Sequence, residues 1–177
     1  VIVATVRALK AHSGKYRITA GKPLPDKLLL ENPEDVVAGI DNLRKQIENI
    51  RRHGVTPVVA INSFPEDFRS EHEAIRDFAE QLGVRVAVCT NFAEGGKGSA
   101  ELAEMVAAAA DEPNEFRFLY PDEADLRTKI ETIASEVYGA DGVQYSPDAA
   151  KQLDTYTRAG FGALPVCVAK THLSISS

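Results

Sequence analysis

The run Pro57–Asp67, PVVAINSFPED, constrains the fold more than any other stretch of this sequence. Four apolar residues in a row read as a strand buried on both faces, the mark of a parallel sheet. The strand stops on a polar Asn62 and opens into a loop carrying Phe64, Pro65, Glu66 and Asp67. One helical period later, Val84–Gly98 (VRVAVCTNFAEGGKG) repeats the break and places Phe92 and a glycine-rich turn at the equivalent point. Loops at the carboxyl ends of parallel strands form the ligand crevice of an open α/β sheet. Two aromatics presented there suit a flat ligand.

The flanking sequence alternates strand-like and helix-like periods, which predicts an α/β fold with a mostly parallel sheet and flanking helices. Val1–Val6 reads as a strand, and Lys10–Glu31 has no sustained period. Asn32-Pro33-Glu34-Asp35 supplies an N-cap, a proline at the first helical position and early acids. Val36, Ile40, Leu43, Ile47 and Ile50 then predict one amphipathic helix ending at Gly54. Ser70 with Glu73 reads as a capping box, and Ile75, Phe78, Ala79 and Leu82 as the buried stripe behind it. Ser99 is placed to cap a helix through Leu102, Met105, Val106 and Ala109. Further strands are predicted at Phe116–Tyr120, Val143–Tyr145 and Pro165–Ala169. Between them lie a helix through Leu126, Ile130, Ile133 and Val137 and another from Ser146-Pro147 to about Ala159. The expected organisation is a single α/β segment over 1–177, with the sheet core and site loops in about 1–120 and C-terminal helices and a last strand in about 121–177. A chain that opens on a bare strand-like run, VIVATV, reads as a piece of a larger protein.

Composition narrows the function. A net charge of −6 over 177 residues argues against nucleic acid or an anionic membrane as partner, since both need clustered Lys and Arg. The basic cluster Arg51-Arg52-His53 falls in a last helical turn, where positive charge suits the dipole. No apolar run approaches the ~20 residues of a membrane span. Cys89 and Cys167 sit in apolar runs and read as small buried side chains in a reducing cytoplasm.

Few residues carry chemistry on spacing alone. The Asn62 amide either reads a ligand edge with its donors and acceptor or caps the following turn. Phe64 and Phe92 either pack their loops or face a ligand. Gly95-Gly96-Lys97-Gly98 precedes a helix N-terminus, which favours an anion, yet lacks both the Walker A and the dinucleotide-binding spacing. Glu66 and Asp67 read as solvated loop carboxylates. His12, His53, His72 and His172 lack metal-ligand spacing, so neither a metal site nor a catalytic residue is assigned.

Val3–Gly14, VATVRALKAHSG, closely resembles a signature segment of the formate–tetrahydrofolate ligase family, with Ser13 replacing the first of two usual glycines. ENP…GIDNLRKQIENIRRHG, PVVAINSFPED, AEGGKGSAELAEMV, FRFLYP, KIETIASEVYGA and LPVCVAKTHLSIS extend the likeness over essentially the whole chain. The resemblance implies a P-loop-NTPase-like, Rossmann-like three-layer arrangement, here incomplete. It implies an enzyme that activates formate with ATP (as the Mg complex) to formyl phosphate and passes the formyl group to tetrahydrofolate. Formate, ATP and tetrahydrofolate are substrates, and no tightly bound cofactor is expected. Phe64 and Phe92 would stack on the folate pterin, with Phe92 standing where the family usually has Trp. Val88, Gly95 and Gly96 would shape the pocket wall, and Asn62 would touch nucleotide or substrate. The family's phosphate-binding P-loop, and the Lys and Arg that hold formyl phosphate, belong to an N-terminal part not represented here, so this segment alone is expected to be inactive. Family members are commonly cytoplasmic homotetramers; the segment's own state is left open. The alternative is a non-catalytic α/β module binding a nucleotide or folate, or a subunit of a split enzyme. A Rossmann dehydrogenase is disfavoured, because no strand is followed by G-x-G-x-x-G with an acid about 20 residues on.

Overall fold

A computed structural model describes residues 1–19 and 21–168. The chain divides into two compact units, Val1–Glu115 and Phe116–Ser177. The first holds a three-stranded parallel sheet of β1 (Ile2–Ala4), β2 (Val58–Asn62) and β3 (Arg85–Cys89), in the order β1-β2-β3. The register pairs Ile2 with Val59 and Ala4 with Ile61, and Val59 with Val86 and Ile61 with Val88. Side chains of paired residues share a face. That face packs on Val6 and Leu9 of α1 (Val6–Ala11), Val36 of α2 (Pro33–Ala38), Leu43 and Ile47 of α3 (Asp41–Arg52), and Ile75 and Ala79 of α4 (Arg69–Gln81). On the other face α6 (Ala100–Ala110) packs against β2 and β3. Val3, pointing the same way from β1, stays 67% exposed, so the third layer is incomplete.

Several local details depart from the sequence reading. The first strand ends at Ala4, and Thr5 caps α1 by accepting from the Ala8 N–H at 3.2 Å. The helix expected from Asn32 to Gly54 is two helices. Its N-cap forms as expected, with Asn32 Oδ1 accepting from the Asp35 N–H at 3.0 Å. The break falls at Gly39, where a Cβ would lie 1.8 Å from the Leu9 carbonyl oxygen of α1. The cap of α4 is Phe68, two residues before Ser70, and Glu71 closes it by accepting from the Phe68 N–H at 3.1 Å. Glu71 is spent there because it is buried and also takes Lys10 Nζ at 2.7 Å and the Asn32 N–H at 2.9 Å. Lys10 in turn donates to the Leu30 carbonyl at 2.6 Å, so one buried ion pair fastens α1 and the Leu30–Asn32 backbone to α4.

The Lys10–Glu31 stretch is tied down by Asp35, whose carboxylate accepts from Lys15 Nζ and from the Tyr16 hydroxyl. The two donors hold the Asp35 carboxyl below its usual range, and the hydrogen bond to Asp35 pushes Tyr16 up to about 12.

In the second unit, α7 (Leu126–Thr132) and α8 (Pro147–Tyr156) form where expected, capped by Asp125 and Ser146. The three strands predicted there do not form among the described residues. Phe116 and Phe118 pack edge to face on each other, 5.3 Å between centroids, with both rings exposed. Val143–Tyr145 pairs with no neighbour strand among the described residues. Of Pro165–Ala169, Ala169 lies outside the described residues; Val166 exchanges its N–H and C=O bonds with the Tyr120 hydroxyl at 2.9 and 3.2 Å instead of with a strand. Cys167, expected buried, is exposed. The centre of this unit is Lys129, fully buried, whose ammonium donates to the carbonyls of Asp122, Gly162 and Leu164 at 2.6, 3.0 and 3.2 Å.

Candidate functional site

The carboxyl ends of β2 and β3 are level, since Asn62 pairs with Cys89 and the Ser63 N–H donates to the Cys89 carbonyl at 3.0 Å. Both loops therefore leave the sheet at the same height. After β2, Asp67 folds the loop on itself: its Oδ2 accepts the Phe64 N–H at 2.9 Å while its own N–H donates to the Phe64 carbonyl at 3.0 Å. His72 Nε2 lies 3.3 Å from the same carboxylate oxygen. Asp67, read from the sequence as solvated, has only 3% of its side chain exposed and fixes the backbone that presents Phe64. His72, assigned no role from sequence, lies against the same carboxylate.

After β3 the chain enters a single turn, α5 (Asn91–Glu94), followed by a 3-10 turn over Gly95–Ser99. The Thr90 N–H donates to the Gly98 carbonyl at 2.9 Å, closing the glycine run back onto the strand end. Gly98 permits that approach, because a Cβ there would lie 2.5 Å from the Thr90 carbonyl carbon. Gly95 takes a φ of +59, in the region glycine favours. Ser99 stands at the start of α6 without capping it, and its hydroxyl contacts Cys89. Burial pushes the Cys89 thiol up, away from thiolate chemistry.

These loops enclose a cleft of about 480 Å³ lined by Arg7, the run Asn62–Glu66, Asn91 and Phe92. Asn62, Phe64 and Phe92 are thus brought together. Phe64 is half-buried, and Phe92 is 93% exposed. Val88 instead turns to the core face beside Ile61, and Gly95 and Gly96 are exposed on the turn, outside the cleft lining. The residue that sequence reasoning missed is Arg7. Its guanidinium carbon stands 4.3 Å from the Phe64 ring centroid and its Nη2 pairs with Glu66. Only the fold reveals this, because Arg7 is 57 residues away from Phe64 in sequence and reaches it through the β1–β2 pairing. A second, shallower groove of about 460 Å³ lies at the opposite strand ends, where Arg85, Thr56 and Glu112 already satisfy one another.

The sequence matches the family model described as formate–tetrahydrofolate ligase over residues 1–177. The chain belongs to that family. It is 68% identical over 177 residues to the formate–tetrahydrofolate ligase of Saccharopolyspora erythraea, covering 100% of this chain and 31% of that protein. It is 59% identical over 186 residues to formate–tetrahydrofolate ligase 3 of Rubrobacter xylanophilus, with coverage of 100% and 32%, and 57% identical over 179 residues to the ligase of Chloroflexus aggregans, with coverage of 99% and 31%. The chain therefore spans about 31% of the length of the curated ligases it matches. No helix among the described residues of this ligase segment is long and apolar enough to cross a membrane.

Proposed function

We propose that this segment supplies the folate-stacking wall of a cytoplasmic, ATP-dependent ligase that forms 10-formyltetrahydrofolate from formate and tetrahydrofolate by way of formyl phosphate. The observation that carries the reading is the convergence of Phe64 and Phe92 on one cleft at the carboxyl ends of adjacent parallel strands. A pterin ring is flat, and aromatic faces grip it with about 0.5–1.5 kcal/mol per stacked pair beyond area burial. Phe92, 93% exposed, has the most to gain: covering it removes apolar surface from water, worth roughly 1.5–3 kcal/mol for a full side chain. Asn62, at the floor between the loops, offers an amide to the ring's polar edge.

The cradle for the ATP phosphates is assigned to the parent protein outside this segment. Among the described residues no three His, Cys, Asp or Glu side chains converge. The role of this chain is to bind and orient the acceptor, which turns a bimolecular transfer into a positioned one. The test is tetrahydrofolate binding to the full-length ligase and its Phe64→Ala and Phe92→Ala variants. Several-fold weaker binding in each supports the wall. Unchanged binding in both removes it.

A further inference from the structure

Phe64 and Phe92 give the cleft its apolar walls but hold no charge. Among the residues lining it, Arg7 is the one cation and Glu66 the one anion. Arg7 comes from the first turn of α1, which Thr5 caps immediately after β1, so the sheet itself delivers it to the carboxyl edge. Its guanidinium carbon stands over the Phe64 ring, 4.3 Å from the centroid, and only 26% of the side chain is exposed. Glu66, its partner, is 57% exposed. An ion pair that open to solvent is screened and contributes little. Arg7 is therefore fixed by packing while its counter-ion is not. Donor capacity is also left over: a guanidinium carries five N–H groups, Nη2 serves Glu66, and the buried Nε has no acceptor among the described residues.

We propose that Arg7 is the oxyanion anchor of this cleft and that Glu66 is a resident counter-ion which a ligand's carboxylate or phosphate replaces. An oxyanion in the place of the Glu66 carboxylate can take Nη2 and Nε side by side, the two-bond geometry that makes guanidinium–oxyanion pairs strong. It satisfies the orphaned Nε, and the released Glu66 returns to water at little cost. Because Arg7 lies on Phe64, the anion is held next to whatever stacks on that ring. The cleft then takes a flat heteroaromatic and an oxyanion together. This rests on the folate reading and deepens it: the oxyanion is either the one-carbon acid or its phosphorylated form, or a carboxylate of the folate's own tail.

The experiment uses the full-length ligase carrying this segment, as wild type, Arg7→Met, Arg7→Lys and Glu66→Gln. Read out are KM values for formate, ATP and tetrahydrofolate, Kd values for tetrahydrofolate and for tail-less 6-methyltetrahydropterin, and direct titrations with formate and inorganic phosphate. Arg7→Met is expected to raise the constant for one oxyanion ligand tenfold or more. Arg7→Lys recovers part of it, since an ammonium cannot pair through two parallel bonds. Glu66→Gln lowers the same constant several-fold by removing the competitor. A rise in the formate or phosphate constant assigns the anchor to the reacting acid. A rise for tetrahydrofolate with none for methyltetrahydropterin assigns it to the folate tail. All constants within twofold of wild type in a folded, active Arg7→Met enzyme overturn the proposal. Where that variant does not fold, an unchanged or weakened constant in Glu66→Gln overturns it. A wild type without turnover dependent on formate, ATP and tetrahydrofolate contradicts the ligase reading instead, and the direct anion titrations still decide the role of Arg7.

Discussion

Phe64 is held at both ends: Asp67 accepts its backbone N–H, and Arg7 covers one face of its ring. Asp67→Ala frees that N–H and leaves His72 without its carboxylate partner, which costs about 1–3 kcal/mol for the buried donors left unsatisfied. Chemical denaturation of the wild type and the variant measures that loss, and tetrahydrofolate binding is expected to weaken along with it. Phe92 has no comparable support and makes the opposite prediction. Phe92→Trp enlarges the stacking face without disturbing a packed neighbour, so it should tighten tetrahydrofolate binding several-fold at unchanged stability. Equal affinity of the two forms in a titration would remove Phe92 from the wall. Tyr16 and Asp35 set a pH window. The hydroxyl rises to about 12 in the fold from an ordinary 10.0, so its contribution is complete below pH 10.0 and lost as pH climbs through about 12. Asp35 moves below its ordinary 3.8, so its contribution is present above 3.8 and lost as pH falls through the lower folded value. Tyr16→Phe should remove the wild type's extra loss of stability between pH 10 and 12, measured as the difference between their denaturation midpoints. Of these residues, the sequence made Phe64, Phe92 and Asn62 legible through their place at strand ends. Arg7, Asp67 and His72 were hidden, since their roles come from contacts that spacing along the chain does not encode.

Among the elements, the glycine turn and the α1–α4 clasp lend themselves to direct tests. Gly98→Ala pushes a Cβ into the Thr90 backbone, which forces the turn open at a cost of about 1–3 kcal/mol, whereas Gly96→Ala enters open space. Thermal unfolding of the two variants should differ accordingly; equal destabilisation would mean the turn does not close on Thr90. Lys10→Met leaves Glu71 charged and buried without its partner, a loss of about 3–5 kcal/mol, and Lys10→Met with Glu71→Gln should recover part of it. Helices α7 and α8 were readable because their apolar periods and terminal signals agree, and α4 through its apolar period alone. The single helix expected over Asn32–Gly54 was not, because its break answers to the Leu9 carbonyl of another element. The Ser70–Glu73 box was displaced for a related reason: Glu71 is drawn inward by Lys10, and the cap follows it.

For the whole molecule, the alternation of strand and helix was legible through Val1–Glu115 because a doubly covered parallel strand writes itself as an unbroken apolar run. The strand-like runs at Phe116–Tyr120, Val143–Tyr145 and the described part of Pro165–Ala169 form no strand among the described residues, the first two being interrupted by Arg117 and Gln144. A strand needs a neighbour to pair with, and at Val166 the Tyr120 hydroxyl takes up the backbone N–H and C=O instead. The segment belongs to a ligase family whose curated members it spans by about 31% of their length, and the contribution proposed for it is the cleft between the β2 and β3 loops. The most direct measurement is isothermal titration of the full-length ligase with tetrahydrofolate, run beside Phe64→Ala, Phe92→Ala and the double variant. Several-fold weaker binding is expected in each single variant. In the double variant the combined loss differs from the sum of the two, because both rings grip one ligand. Wild-type affinity in all three would place the folate elsewhere and contradict it.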